Sequence, residues 1–200
     1  GRYVEYRINF LGKLPHKVLL ACSGGADSMA ILDFLIKGKR DVIAVYYNHG
    51  TIHGAEAEAH VRAHFESMGV MYIIGNIKDF RGQLKSESSE VYWRNARYEF
   101  FDKVHAEHKI PLITCHNLDD QVENWIFTSI RNGNPTLIPY RRNYVIRPFL
   151  LTKKKHLENW CLKNNVNFIV DPGNYSDKYA RSYIRHEIVP KTLHINPGIH

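Results

Sequence analysis

Short runs of β-branched and apolar residues alternate with segments of helical spacing along most of the chain, and this alternation narrows the fold more than any other feature. Residues 17–22 (Lys17-Val18-Leu19-Leu20-Ala21-Cys22) read as a buried first strand. Apolar side chains at 29, 31, 32, 35 and 36 then follow a helical spacing that closes near Gly38. Segments 42–47, 70–74, 110–115 and 144–146 read as further strands, and 56–68, 89–108 and 119–130 as helices. Each strand after the first follows a crossover, so right-handed βαβ units are expected. The expected fold is α/β, a doubly wound parallel sheet of about five strands. Ligands of such sheets sit beyond the carboxyl ends of the strands, where strand order reverses. That rule directs attention to the residues after strands one, two and four.

Charge adds a second division. The 200 residues carry 27 Lys+Arg against 20 Asp+Glu. Residues 1–130 hold 15 basic and 16 acidic side chains, and residues 131–200 hold 12 basic and 4 acidic. The excess therefore belongs to the last third of the chain. The irregular stretch 132–143 marks the change, so a sheet domain over 1–131 and a short, basic, mainly helical extension over 132–200 are expected. The polar stretch 75–89 reads either as a mobile loop over a site or as an ordinary solvated connection. With 44% hydrophobic and 24% charged residues, disordered and fibrous classes fit poorly. Three scattered cysteines, Cys22, Cys115 and Cys161, do not make a disulfide scaffold, and there is no C-x-x-C for zinc. No apolar run approaches the roughly 18 residues that span a membrane. Nor does the N-terminus carry the apolar core of a signal peptide. A soluble cytoplasmic protein is expected, with no membrane partner and no zinc; His60 and His64 are spaced for one helix face, but a third ligand is missing.

The first strand runs straight into Ser23-Gly24-Gly25-Ala26-Asp27-Ser28 and then a helix. Two glycines let a ligand approach the backbone, the N–H groups of the turn point outward, and Ser23 and Ser28 add hydroxyls. These are the features of a phosphate cradle. No lysine follows the glycines, which separates the loop from GxxxxGK[ST] and from γ-phosphate hydrolysis. Asp27 repels phosphate unless a cation intervenes, and so reads as a Mg²⁺ anchor. The alternative is a tight glycine turn with a Ser/Asp cap.

Strand four leads into His116-Asn117-Leu118-Asp119-Asp120-Gln121-Val122-Glu123. Asp120 and Glu123 are three apart and share a helix face. That face suits Mg²⁺ or the ammonium of a lysine substrate, and the spacing leaves both open. An acidic first turn also serves the helix dipole. Arg131 closes the same helix and suits either its C-terminus or a phosphate.

Ser-Gly-Gly-Ala-Asp-Ser resembles the SGGxDS signature of the PP-loop ATP pyrophosphatases. Further stretches resemble the tRNA(Ile)-lysidine synthetase family within that superfamily. They are Tyr47-Asn48-His49-Gly50, Arg94-Asn95-Ala96-Arg97-Tyr98, the His116 to Glu123 segment, Arg147-Pro148-Phe149-Leu150, Asp171-Pro172-Gly173-Asn174 and the run from Tyr179 to Arg185. Together these cover about residues 17–197 in the family's order. The resemblance implies a Rossmann-like PP-loop fold that binds ATP through residues 23–28, Asn48 and His49, with Mg²⁺ on Asp27. It implies adenylation of the wobble cytidine of tRNA(Ile), then attack by lysine to give lysidine, AMP and pyrophosphate. Asp27, Arg97, His116, Asp120 and Glu123 would be the catalytic set. Asp119, Asp120, Glu123, Arg131, Arg147, Lys153, Lys154, Lys155, Arg181 and Arg185 would meet lysine or tRNA. Lysines 153–155 stand at a helix start against the dipole preference, which argues for a role beyond structure, and interleaved tyrosines suit an unpaired base.

Departures from the family pattern are Asn117 for its second histidine, Asn124 for its threonine and Arg131-Asn132-Gly133 for its Arg-Gly. The family's C-terminal domains have no counterpart after His200, which leaves a truncated chain or a short form relying on its basic segment. Two rivals remain. One is another PP-loop enzyme, an RNA thiolase or an amidating ligase; the other is a silent RNA-binding protein of this fold.

Overall fold

The computed structural model describes residues 4–170. Its elements are β1 (Lys17–Ala21), α1 (Ala26–Lys37), β2 (Asp41–Asn48), α2 (Gly54–Ser67), β3 (Met71–Asn76), α3 (Ser89–His108), β4 (Leu112–Ile113), α4 (Leu118–Asn132), β5 (Arg141–Arg142), β6 (Val145–Ile146) and α5 (Lys154–Asn164). The strands form one sheet in the order β3-β2-β1-β4-β6-β5. All neighbours run parallel except the β5–β6 hairpin.

Alternation along β1 decides how the sheet is covered. Val18 and Leu20 join a core with Ile31, Leu32, Phe65 and Leu157, so α1, α2 and α5 lie on that face. Leu19 points the other way, into Phe101 and Val104 of α3 and Leu112 of β4. Helices thus bury both faces, as parallel sheets require. β1 pairs with β2 on one side and β4 on the other. The chain order reverses between β1 and β4, and the crevice beyond their carboxyl ends is where the site lies.

The sheet has six strands rather than about five. β5 escapes the sequence because it is two exposed arginines, paired as Arg141↔Ile146 and Arg142↔Val145 across a two-residue turn at Asn143, whose φ is 55°. The strand expected over 110–115 shrinks to Leu112–Ile113. β6 pairs parallel with β4, Leu112↔Val145 and Ile113↔Ile146, so the strand expected over 144–146 joins the sheet beyond residue 131. α5 is bound to α1 by Trp160 Nε1 donating to Asp33 at 2.9 Å, Lys37 donating to Asn164 at 2.8 Å, and the Phe34–Trp160 edge contact. Residues 132–170 thus add β5, β6 and α5 to the sheet and its helical cover. Residues 75–89 are a tied connection. Arg81 meets both oxygens of Glu87 at 2.9 Å, Tyr92 Oη donates to the Arg81 carbonyl at 2.6 Å, and Ser88 caps α3.

Candidate functional site

The loop between β1 and α1 is held curled by one hydroxyl. Ser28 Oγ, buried, accepts N–H bonds from Ser23 and Gly24 at 3.2 Å each and donates to Gly25 O at 3.3 Å. The Ser28 hydroxyl expected to face phosphate is thus engaged inside the loop. Ser23 Oγ accepts the Gly25 N–H at 3.3 Å. Gly24 has φ +86°, and a Cβ there would lie 2.6 Å from Val61 Cγ2, so this position admits only glycine. Its carbonyl accepts from Ile169 N at 2.8 Å, which pins the loop to the chain after α5. Gly25 is the N-cap of α1 and supplies no side-chain acceptor. The amides of the first turn, at Ala26 and Asp27, are left for an anion.

Across the crevice, Asn117 organises the start of α4. Its Oδ1 accepts from Asp119 N at 3.0 Å and Asp120 N at 3.3 Å, while its own N–H donates to Asp120 Oδ2 at 2.9 Å. This is a capping box built on asparagine. The Asn117 Nδ2 then reaches back 3.2 Å to Asp27 Oδ2, joining the two strand ends. A second donor meets the same oxygen: Lys154 Nζ lies 2.8 Å from Asp27 Oδ2, and the Lys154 N–H donates to Asp119 Oδ1 at 2.9 Å. Asp27 Oδ1 is buried with no hydrogen-bond partner among the described residues. Glu123 is buried one turn along the Asp120 face.

Burial of this acidic group has a price in charge. Asp120 is pushed up to about 7, first by burial and then by the charges of Asp27 and Glu123, against the pull of the Asn117 N–H. Burial likewise raises Asp119. Opposite the acids stands a basic wall. Burial, then the charges of Arg147 and Arg97, bring His116 down to about 4, and its Nδ1 contacts Thr114 Oγ1 at 2.8 Å. Burial and Arg97 bring His49 to about 4 as well; its ring packs on Tyr47 at 5.0 Å and Trp93 at 6.3 Å. Both histidines are neutral at pH 7. Both feel the charge of Arg97, whose guanidinium lies over the Tyr98 ring and whose own burial lowers its pKa.

Residues 3–192 match the PP-loop domain family. The chain belongs to that family. Among curated relatives it is 32% identical over 195 residues to the tRNA(Ile)-lysidine synthase of Pseudothermotoga lettingae, covering 92% of this chain and 43% of the relative. It is 29% identical over 199 residues to that of Francisella philomiragia, covering 94% and 49%. The chain thus spans about half the length of these relatives. Among solved structures it resembles the U34-tRNA thiolase NcsA of Methanococcus maripaludis, with a TM-score of 0.71 at 20% identity over 96% of this chain and 69% of that one. It also resembles the NH3-dependent NAD synthetase of Campylobacter jejuni, with a TM-score of 0.55 at 16% identity over 90% and 72%. These two show the shared fold.

Within the PP-loop fold, several expected site residues are placed elsewhere. Asn48 is buried: it bonds Gly54 O and Glu58 through Nδ2, and Gly50 N through Oδ1, and so shapes the loop after β2. Arg147 is no surface contact for RNA. It is buried, donates from Nη1 to Pro139 O at 2.8 Å, and its Nε, beside His116, has no partner among the described residues. Arg131 lies over the Phe127 ring at the far end of α4, roughly 18 Å along the helix from Asp119. Lys154 points at Asp27 and not outward; Lys153 is the N-cap of α5, and Lys155 is exposed beside Glu158 at 4.0 Å. Arg181, Arg185 and the stretches 171–174 and 179–185 lie outside the described residues. Sequence reasoning anticipated neither the Asn117 bridge to Asp27 nor the pairing of Lys154 with the same carboxylate. A lysine set against a helix dipole was the available signal for the second, but its partner lies 127 residues away.

For a divalent cation, the fit rests on Asp27: a carboxylate beside uncapped helix amides, with one buried oxygen that has no partner among the described residues. Among the described residues there is no group of three or more His, Cys, Asp or Glu side chains that could hold a metal. Phosphate oxygens would have to complete the shell, as is usual for Mg²⁺. No helix among the described residues is long and apolar enough to cross a membrane.

Proposed function

We propose that this chain is the ATP-handling part of a tRNA(Ile)-lysidine synthetase, which adenylates the wobble cytidine of tRNA(Ile) and joins lysine to it. The observation that carries this reading is the bridge from Asp27 through Asn117 to Asp120, which joins the phosphate loop and the acidic turn into one pocket. The first-turn amides of α1 bind phosphate, and Arg97 offsets charge that develops near it. Mg²⁺ held by Asp27 would neutralise the phosphates when bound. Lysine attacks only as the free amine, so its ammonium must lose a proton. Asp120, at about 7, is half ionised at neutral pH and suits that transfer. Its Oδ2 is held by the Asn117 N–H, which leaves Oδ1 as the acceptor. The 32% identity to a lysidine synthase supports the choice of substrate.

A thiolase of this fold needs reactive sulfur. Burial pushes the thiols of Cys22 and Cys115 well up, and Cys161 up to about 12, so all three are held as neutral thiols. The test combines the protein with ATP, Mg²⁺, labelled lysine and unmodified tRNA(Ile). Label transfer that Asp27→Ala abolishes is the expected result; pyrophosphate release without lysine transfer on any wobble-cytidine tRNA would overturn the reading.

A further inference from the structure

Lys154 holds the metal-anchoring carboxylate while standing on a rigid base. Its backbone N–H is capped by Asp119 Oδ1, and the residue two before it, Thr152, exchanges two hydrogen bonds with Asn9, at 3.0 Å and 2.6 Å. Asn159 and His156 of the same helix are tied to Glu5 and Arg7. The start of α5 is therefore fixed on two sides, and only the side chain of Lys154 is left to move. That side chain is 44% exposed while its partner Asp27 is 25% exposed, so the ammonium enters from the open side of the crevice. Burial works against the ammonium, but the Asp27 charge and hydrogen bond outweigh it and raise its pKa.

This placement conflicts with direct metal binding. Asp27 Oδ2 already accepts from Lys154 and from Asn117, and a divalent cation on the carboxylate would face an ammonium 2.8 Å from one of its ligand atoms. Like charges at such a separation repel strongly in a half-buried site. Phosphates seated on the α1 amides offer the ammonium another partner a few torsions away, since Asp27 lies in the first turn of that helix.

We propose that Lys154 is an exchangeable counter-ion of Asp27. It holds the carboxylate in position when the pocket is empty, and it transfers to the nucleotide phosphates on binding. A divalent cation then reaches Asp27 together with those phosphates and not before them. Lys154 is a positioning residue for the metal and a direct contact for the nucleotide. The assignment rests on the ATP-binding reading above.

Mn²⁺ binding, followed by electron paramagnetic resonance, tests this on the whole chain with and without α,β-methylene-ATP. Wild-type protein takes up Mn²⁺ weakly alone and at least tenfold more tightly with the analogue. Lys154→Met binds Mn²⁺ without nucleotide about tenfold more tightly than wild type and binds the analogue about tenfold more weakly. Lys154→Arg keeps the exclusion, which separates lost charge from lost structure, and Asp27→Asn removes Mn²⁺ binding in every background. Equal Mn²⁺ affinity of wild type and Lys154→Met in the absence of nucleotide, with analogue binding intact, overturns the role of Lys154 alone. Failure of wild type to bind the analogue at millimolar concentration overturns the nucleotide reading and the exchange with it.

Discussion

Replacing Asn117 separates the two tasks this residue performs. Its side chain is 1% exposed and makes three hydrogen bonds: two accepted from the first turn of α4 and one donated to Asp27. Asn117→Ala removes an N-cap, at about 1 kcal/mol. It also removes a donor to an ionised acceptor, at about 1.5–3 kcal/mol, where the upper figure applies to full burial. Asp27 keeps Lys154 and is 25% exposed, so the lower figure applies and the total is about 2–3 kcal/mol. Asn117→Ser retains a capping oxygen but is too short to reach Asp27, and should cost about half as much. Asn117→Asp keeps the cap but sets a carboxylate 3.2 Å from Asp27, so it should fold at low pH and lose stability as pH rises. Urea unfolding gives the three values directly. If Asn117→Ala falls within about 0.5 kcal/mol of wild type, the bridge between the phosphate loop and α4 carries no energy and the single-pocket argument fails.

Two further perturbations address the loop and the acid. Gly24→Ala must hold a left-handed φ of +86° and place its Cβ 2.6 Å from Val61 Cγ2. A loss of about 2–4 kcal/mol is expected, together with loss of nucleotide binding in calorimetry; a variant that binds as wild type would refute the cradle. Asp120 rises from 3.8 to about 7 on folding, so its contribution is complete below about pH 4 and is lost as pH rises through about 7. The full shift corresponds to roughly 4 kcal/mol, and the partly open position of Asp120 reduces this to about 2 kcal/mol. Asp120→Asn, which keeps an oxygen for the Asn117 N–H, should flatten stability between pH 4 and 8 in thermal melts. An unchanged slope would show that the acid titrates elsewhere.

The order of strands and helices was readable because each buried strand must be an apolar run and each helix an amphipathic one. The same holds for the phosphate loop, whose chemistry resides in six consecutive residues. Local pattern failed where partners are remote. β5 is a pair of exposed arginines that becomes a strand only beside β6. Lys154 and Arg147 looked like surface cations for RNA. The fold turns the first onto Asp27 and buries the second beside His116.

Residue order thus specified an α/β sheet with a glycine-rich turn after β1 and an acidic turn after β4, since glycine freedom, helix amides and period-two burial all act within a few residues. The tertiary structure decided that these turns share one crevice, that Asn117 joins them, and that a lysine 127 positions away neutralises the carboxylate between them. Hydrogen bonds and charge pairs act over a few ångströms of space whatever the distance along the chain, so only the packed sheet determines which of them form.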